Sequence, residues 1–372
     1  MKYWLHIFKK IHRWLGIISG PIVFVIAITG CLYAFQEEFQ EMTQPFRFFK
    51  KTGQTILSPT EIKDIAVKNQ SDKKVHAVMV YSDNHAAKVI FYEFDKYYQI
   101  SYINPETGRI LAHIDQESGF FAFILKGHFY LWLPPRIGQP FVAVATLVFV
   151  VVILVGLIIW WPRSGNKKSR FKIKKSTSLK RRNFDLHSVI GFYSLIFALI
   201  FAITGLVWGF EWFRNSYYKL FSGGDNFISY YEPKSFSNKS KTNFMVDQVF
   251  YRLSRKNPDF HYIEVHFPEK NHESIAANIN KEIGTFWKTD YYYFDQNTLQ
   301  ELPVAHYWGK FSESSIADKM MRLNYDIHTG GLFGIAGKIF AFLLSLAIAT
   351  LPITGFIFWL GKKKKSLNRL SN

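Results

Sequence analysis

Cysteine is almost missing from this sequence: Cys31 is the one thiol in 372 residues. No intrachain disulfide can form, even for segments that face an oxidising compartment. There is no Cys-x-x-Cys-His run, which excludes covalent c-type haem, and a cysteine-ligated iron–sulfur cluster is excluded as well. Acidic residues are few, with 28 Asp and Glu against 46 Lys and Arg and a formal net charge of +18. No two carboxylates stand at a catalytic spacing, and no nucleotide- or flavin-binding domain is found. The glycines at 330, 331, 334 and 337 loosely resemble a dinucleotide-binding loop, but they follow no clear strand and lead into an apolar run.

Long apolar runs, by contrast, are abundant. Trp14–Phe35, Ile137–Trp161, Leu186–Phe210 and Ile339–Leu360 are apolar and nearly free of charge. Each is long enough to cross a hydrocarbon core of about 30 Å as a helix. A bilayer leaves no water for an open backbone, so helices are the expected form.

The positive charge is placed around these runs. Lys2, Lys9, Lys10 and Arg13 precede the first, ten Lys and Arg lie between Arg163 and Arg182, and Lys362–Lys365 with Arg369 follow the last. The remainder of the chain is nearly neutral, so nucleic acid is not the expected partner. The positive-inside rule puts both termini and the middle loop in the cytoplasm. The basic loop could also attract an acidic donor protein or anionic lipid, but orientation of the helices accounts for it.

The organisation read from this is a helix over 11–36, an outer unit over 37–136, a helix over 137–161, a basic cytoplasmic loop over 162–183, a helix over 184–211, a second outer unit over 212–330, a helix over 331–361 and a basic cytoplasmic tail over 362–372. Ile28-Thr-Gly-Cys31 imitates a lipoprotein cleavage box, and Leu351-Pro-Ile-Thr-Gly355 a cell-wall sorting signal. Ile-Thr-Gly recurs at 203–205, where processing has no meaning, so the triplet reads as a helix-packing feature.

The outer segments repeat one order of elements. Ser58-Pro-Thr-Glu61 starts a helix with a capping box. Val75–Val80, Lys88–Phe94, Gln99–Ile103 and Arg109–His113 read as strands, with a turn at Asn104-Pro-Glu-Thr-Gly108. In the second segment Phe244–Lys256 reads as a helix and Tyr262–Phe267, Ser274–Ile279 and Thr289–Phe294 as strands, with a turn at Asp295-Gln-Asn-Thr298 that lacks the glycine.

The membrane runs repeat too. His12 is followed by Gly16 and by Thr29-Gly30, and His187 by Gly191 and by Thr204-Gly205, at equal spacings. His128 precedes Gly156-Leu-Ile-Ile-Trp160, and His328 precedes Gly355-Phe-Ile-Phe-Trp359. The expected fold is therefore an all-α four-helix membrane bundle from an internal duplication, carrying two small α+β units. A pseudo-twofold axis along the membrane normal would bring His12 to His187 at the inner face and His128 to His328 at the outer face. Two imidazole pairs at two depths suit two non-covalent b-type haems with axial histidines, roughly 20 Å apart. Gly16 and Gly191, with Ser19 and Ser194, give each helix a small-residue face for a flat macrocycle or a neighbouring helix. A proton relay or transport pathway is the competing use of such histidines. The remaining histidines read as interfacial, surface or structural.

His12-x3-Gly16, His187-x3-Gly191, Asn104-Pro-Glu-Thr-Gly-Arg-Ile-Leu111, His328-Thr-Gly-Gly-Leu-Phe-Gly334 and the Thr354-Gly355…Trp359 ending resemble the PepSY-associated transmembrane helix family of bacterial iron-regulated membrane proteins. His128 sits in Gly-His-Phe-Tyr-Leu, which departs from the family's His-Arg-x-Leu pattern. The resemblance implies a multi-pass protein of the bacterial inner membrane with PepSY-like outer units. It further implies a di-haem ferric-siderophore reductase. The electron donor expected with it is a separate cytoplasmic molecule or the quinone pool, and the outer units would dock the chelate or a periplasmic carrier protein. A membrane-anchored regulatory or inhibitory module without redox activity, and a siderophore transporter, are the alternative classes.

Overall fold

The computed structural model describes residues 2–161, 171–174, 178–236 and 244–367. Most of the basic 162–183 loop, the Lys362–Lys365 side chains and Arg369 lie outside the described residues. The chain divides into two compact units. One comprises Met1–Phe35, Phe123–Arg214 and Ile327–Asn372, and the other Gln36–Ala122 and Asn215–Asp326.

The first unit is helical. Its long helices are α1 (Lys2–Tyr33), α5 (Pro135–Trp160), α6 (Leu179–Gly209) and α10 (Gly334–Leu367). Four stretches are long and apolar enough to cross a membrane: Tyr3–Tyr33, Pro135–Trp160, Leu179–Gly209 and Gly331–Gly361. Three of the helices extend beyond the apolar runs, because the flanking Lys, Arg and Leu are good helix formers that hydropathy ignores. The helices pack in a ring, α1 on α5, α5 on α6, α6 on α10 and α10 on α1, so α1 and α6 are diagonally opposed. Small buried residues such as Ala143, Ala198, Ala202, Ala341 and Ala349 let the backbones approach. Ile18, Tyr193, Ile196 and Leu343 point outward, as a lipid-facing surface requires.

Two of the four histidines selected from the sequence are not on the long helices. His128 lies on α4 (Gly119–Tyr130) and His328 on α9 (Ile316–Thr329). Between α4 and α5 the chain reverses through Leu131 and Trp132, both at positive φ. Between α9 and α10 it reverses at Gly330, with φ 80°. A Cβ on Gly330 would lie 2.5 Å from the Gly337 carbonyl, so these glycines serve a tight helix–helix reversal rather than a phosphate loop.

The second unit is built on one antiparallel sheet, ordered β4-β3-β2-β1-β5-β6-β7. The strands are β1 (Val75–Tyr81), β2 (Ala87–Glu93), β3 (Tyr97–Ile103), β4 (Ile110–Asp115), β5 (Tyr262–His266), β6 (Ser274–Asn280) and β7 (Asp290–Asp295). The segments read as two separate outer units thus share a seven-stranded sheet, joined where Val78 meets Val265 and Val80 meets Ile263. Sequence periodicity marks strands but not their partners across 180 residues. α3 (Pro59–Asn69) and α8 (Phe244–Lys256) lie side by side on one face, where Thr60 N–H donates to Asp247 at 2.9 Å. Ile62, Val78, Val89, Phe91, Val249, Leu253, Ile263 and Phe294 fill the layer beneath them. α2 (Gln36–Thr43) and α7 (Glu211–Ser222) complete the α-helices among the described residues.

The two turns are alike in detail. Asn104 Oδ1 accepts from the N–H of Glu106 and Thr107, and Asp295 Oδ1 from Asn297 and Thr298. Gly108 takes the positive φ in the first turn and Leu299, at φ 57°, in the second. The missing glycine is replaced by a strained leucine that packs on the core.

Candidate functional site: two histidine pairs in the helical unit

The diagonal arrangement of α1 and α6 brings His12 against His187, with ring centres 6.2 Å apart and planes at 79°. His128 and His328 meet in the same way, 6.1 Å apart at 70°. The first pair lies toward the N-terminal ends of α1 and α6. His128 packs on Gly30 of α1 and His328 on Gly205 of α6. Each seat is eighteen residues along its helix from that helix's own histidine, which separates the two levels by about 27 Å.

Each imidazole rests on a glycine of a neighbouring helix. A Cβ added at Gly156 would lie 3.0 Å from His12 Cε1, at Gly30 3.2 Å from His128, at Gly355 3.3 Å from His187 and at Gly205 3.5 Å from His328. The missing side chain also uncovers the carbonyl one turn earlier on that helix. His12 Nδ1–H donates to Val152 O at 3.0 Å, and His128 Nδ1–H to Ile26 O at 2.8 Å. Leu351 O and Phe201 O stand at the matching positions for His187 and His328. In all four cases the acceptor is four residues before the seat glycine.

A threonine precedes three of the seats. Thr354 Oγ1 lies 3.0 Å from His187 Nδ1, Thr204 Oγ1 2.8 Å from His328 Nδ1 and Thr29 Oγ1 3.3 Å from His128 Nδ1. Each threonine donates its own proton to its helix backbone, leaving a lone pair for the imidazole N–H. Beside His12 that position is Val155. The Ile-Thr-Gly triplets are thus histidine seats. Sequence reasoning saw their recurrence and read only helix packing. Gly16 and Gly191 touch no histidine; a Cβ there would make ordinary contact with Val152 and Leu351.

With Nδ1 engaged, Nε2 makes no hydrogen bond to the described residues in any of the four, so among these residues one ring nitrogen of each is left over. A first-row metal bound by two opposed imidazoles, at about 2.0–2.1 Å each, holds their ring centres about 6 Å apart. The observed separations match, and a ring N–H engaged by a backbone carbonyl is the usual support for a ligating histidine. Among the described residues no three His, Cys, Asp or Glu side chains could hold a metal ion together. Each pair could therefore offer two imidazole ligands, a number that suits a metal whose other ligands come from a macrocycle. Between the levels lies an apolar layer of Val23, Ala198 and Ile348, packed by Phe149, Ile153 and Phe201. Phe201 and Trp208 set their rings edge-on to His328 at 6.1 and 5.4 Å.

A family model described as the PepSY-associated TM region matches residues 9–362. The chain belongs to the PepSY-associated TM family. No curated protein matches it. The part matched to this PepSY-associated TM family contains all four histidines and all four glycine seats, so the geometry above is internal to the family region.

Proposed function

We propose that this membrane protein carries electrons across the bacterial inner membrane and reduces ferric chelates on the outer side. The observation that carries the reading is the pair of imidazole–imidazole separations, with every Nδ1 engaged and every Nε2 left over. In this reading His12 and His187 hold one b-type haem and His128 and His328 a second. Each haem, when bound, supplies a one-electron ferric/ferrous couple at its depth. The protein's own part is to fix the ligands. The glycine seats set ring position, and the carbonyl and threonine acceptors fix the tautomer. The apolar layer between the levels keeps water out of the gap.

The helices derive from an internal duplication, and the PepSY-like sheet unit lies outside with both termini in the cytoplasm, as the basic flanks favour. Electrons enter from a cytoplasmic or quinone donor. At the outer surface one electron converts chelated Fe(III) to Fe(II), which hard oxygen donors hold less strongly, and the iron is released. The apolar layer midway also disfavours a chelate transporter, which needs polar groups at mid-membrane. The test is to mix anaerobically reduced protein with a ferric siderophore and follow haem reoxidation together with capture of Fe(II) by a chromogenic chelator. Stoichiometric reoxidation and Fe(II) capture support the proposal. A reduced protein that keeps its electrons in excess chelate contradicts it.

A further inference from the structure

The four histidine seats repeat one design, and His12 departs from it twice. The first departure is at its ring. His187, His328 and His128 each have a threonine hydroxyl within 3.3 Å of Nδ1, besides a backbone carbonyl. His12 Nδ1–H donates to Val152 O alone, at 3.0 Å, because Val155 stands where the other seats carry threonine. Valine has no acceptor to offer. A hydrogen-bond partner of this kind is worth about 10–100-fold in a histidine's hold on its metal.

The second departure is in the helix that carries the ring. The turns before His187 are tied to α10, where Lys180 Nζ–H donates to Gly361 O at 2.9 Å and Asn183 Nδ2–H to Thr354 O at 2.8 Å. The turns before His12 have no such ties. Among the described residues, no side chain from Tyr3 to Ile11 makes a hydrogen bond or ion pair to another element, and none is buried. Tyr3 and Trp4 meet edge to face and are 72% and 62% exposed. A helix end held by few contacts opens at low cost. His187 leaves its place only by breaking the ties to α10, whereas His12 can withdraw with the first turns of α1.

We propose that His12 is an exchangeable ligand, and that a small neutral diatomic molecule such as carbon monoxide replaces it on the iron shared with His187. The inference rests on the haem reading above; which of the four histidines yields rests on the hydrogen bonds alone. The exchange breaks one iron–Nε2 bond and forms one bond from ferrous iron to the incoming molecule. His12 keeps its Nδ1 proton, and no electron moves. The helix surface behind His12 consists of Gly156 with the buried Val152 and Val155. It offers a carbonyl and no side-chain donor, which favours a neutral ligand over an anion. A π-acceptor holds iron in the ferrous state, so an occupied site stops electrons from passing on to the His128–His328 pair.

The test is carbon monoxide titration of the full chain in detergent, reduced with dithionite and followed by difference spectra, with haem counted per chain. Carbon monoxide should bind half of the haem and leave the other half six-coordinate. His187→Ala empties the first pair, so the haem that remains should ignore carbon monoxide. Val155→Thr supplies the missing acceptor and should weaken binding about tenfold. Val155→Ala changes the volume without adding an acceptor, and should not weaken it. Binding to both haems, binding to the haem left in His187→Ala, or equal affinity in wild type and Val155→Thr overturns the proposal. So does a Val155→Ala that weakens binding as much as Val155→Thr. A protein that takes up no haem removes the proposed function itself. A reducible two-haem protein that ignores carbon monoxide removes only the exchange at His12.

Discussion

Replacing each seat glycine by alanine should harm haem retention in the order of the contacts. The imidazole must retreat by about 0.4 Å from a Cβ at Gly156, by about 0.2 Å at Gly30 and by about 0.1 Å at Gly355 to regain an ordinary 3.4 Å contact, and not at all at Gly205. Overpacking a filled interior costs about 1–3 kcal/mol, and alanine returns up to about 1 kcal/mol of helix propensity. Gly156→Ala should therefore be net unfavourable, while Gly205→Ala should be neutral or slightly stabilising. The retreat at Gly156 also stretches the 3.0 Å bond from His12 Nδ1 to Val152 O. A loss of 1.4 kcal/mol in ligation is tenfold in haem affinity. Gly156→Leu fills the seat and should empty the first pair altogether. The assay is haem per chain and the amplitude of the reduced α band, with a melting curve as the control for folding. Equal loss from all four alanine variants, or Gly205→Ala as the most damaging, would refute the reasoning.

Other substitutions probe separate links. His187→Ala should halve the haem content and leave the spectrum of the His128–His328 site in place; loss of both haems would contradict the pairing. Thr204→Val removes an acceptor 2.8 Å from His328 Nδ1 and should raise the potential of that site in a spectroelectrochemical titration. Val155→Thr should shift the first site in the opposite direction. In the sheet unit, burial, helped by Arg47, pushes the Lys88 ammonium down to about 8, against the pull of Glu37, Glu264 and Glu41. The folded state then gives up its proton before the unfolded state does. Stability should rise with pH between about 8 and about 10.4, and the cost of the buried charge is fully present below pH 8. Lys88→Met should stabilise the protein at pH 7 by about 1–3 kcal/mol and flatten that rise in melting curves run from pH 7 to 10.5.

The membrane helices were legible because apolar runs of this length have one stable form in a bilayer. The two histidine pairs were legible as a proposal because repeated spacings imply an axis, and an axis pairs equivalent residues. The seats were hidden for a physical reason. Gly30 serves His128 and Gly156 serves His12, so each glycine acts for a histidine on another helix. Spacing within one helix cannot show that. Gly16 and Gly191 were chosen because they share a helix face with their own histidines, and that face meets Val152 and Leu351 of neighbouring helices. The merged sheet was hidden likewise, since Val78 and Val265 are joined only by long-range pairing. The turn at Asp295 was recognised without its glycine because the aspartate's acceptor, rather than the glycine, defines it.

The measurement closest to the central claim is the visible spectrum of the purified protein from haem-replete cells, oxidised and then dithionite-reduced, with haem counted per chain. The account predicts about two haems per chain with low-spin, six-coordinate spectra and a sharp reduced α band. A colourless protein that stays colourless after incubation with added haem would contradict it.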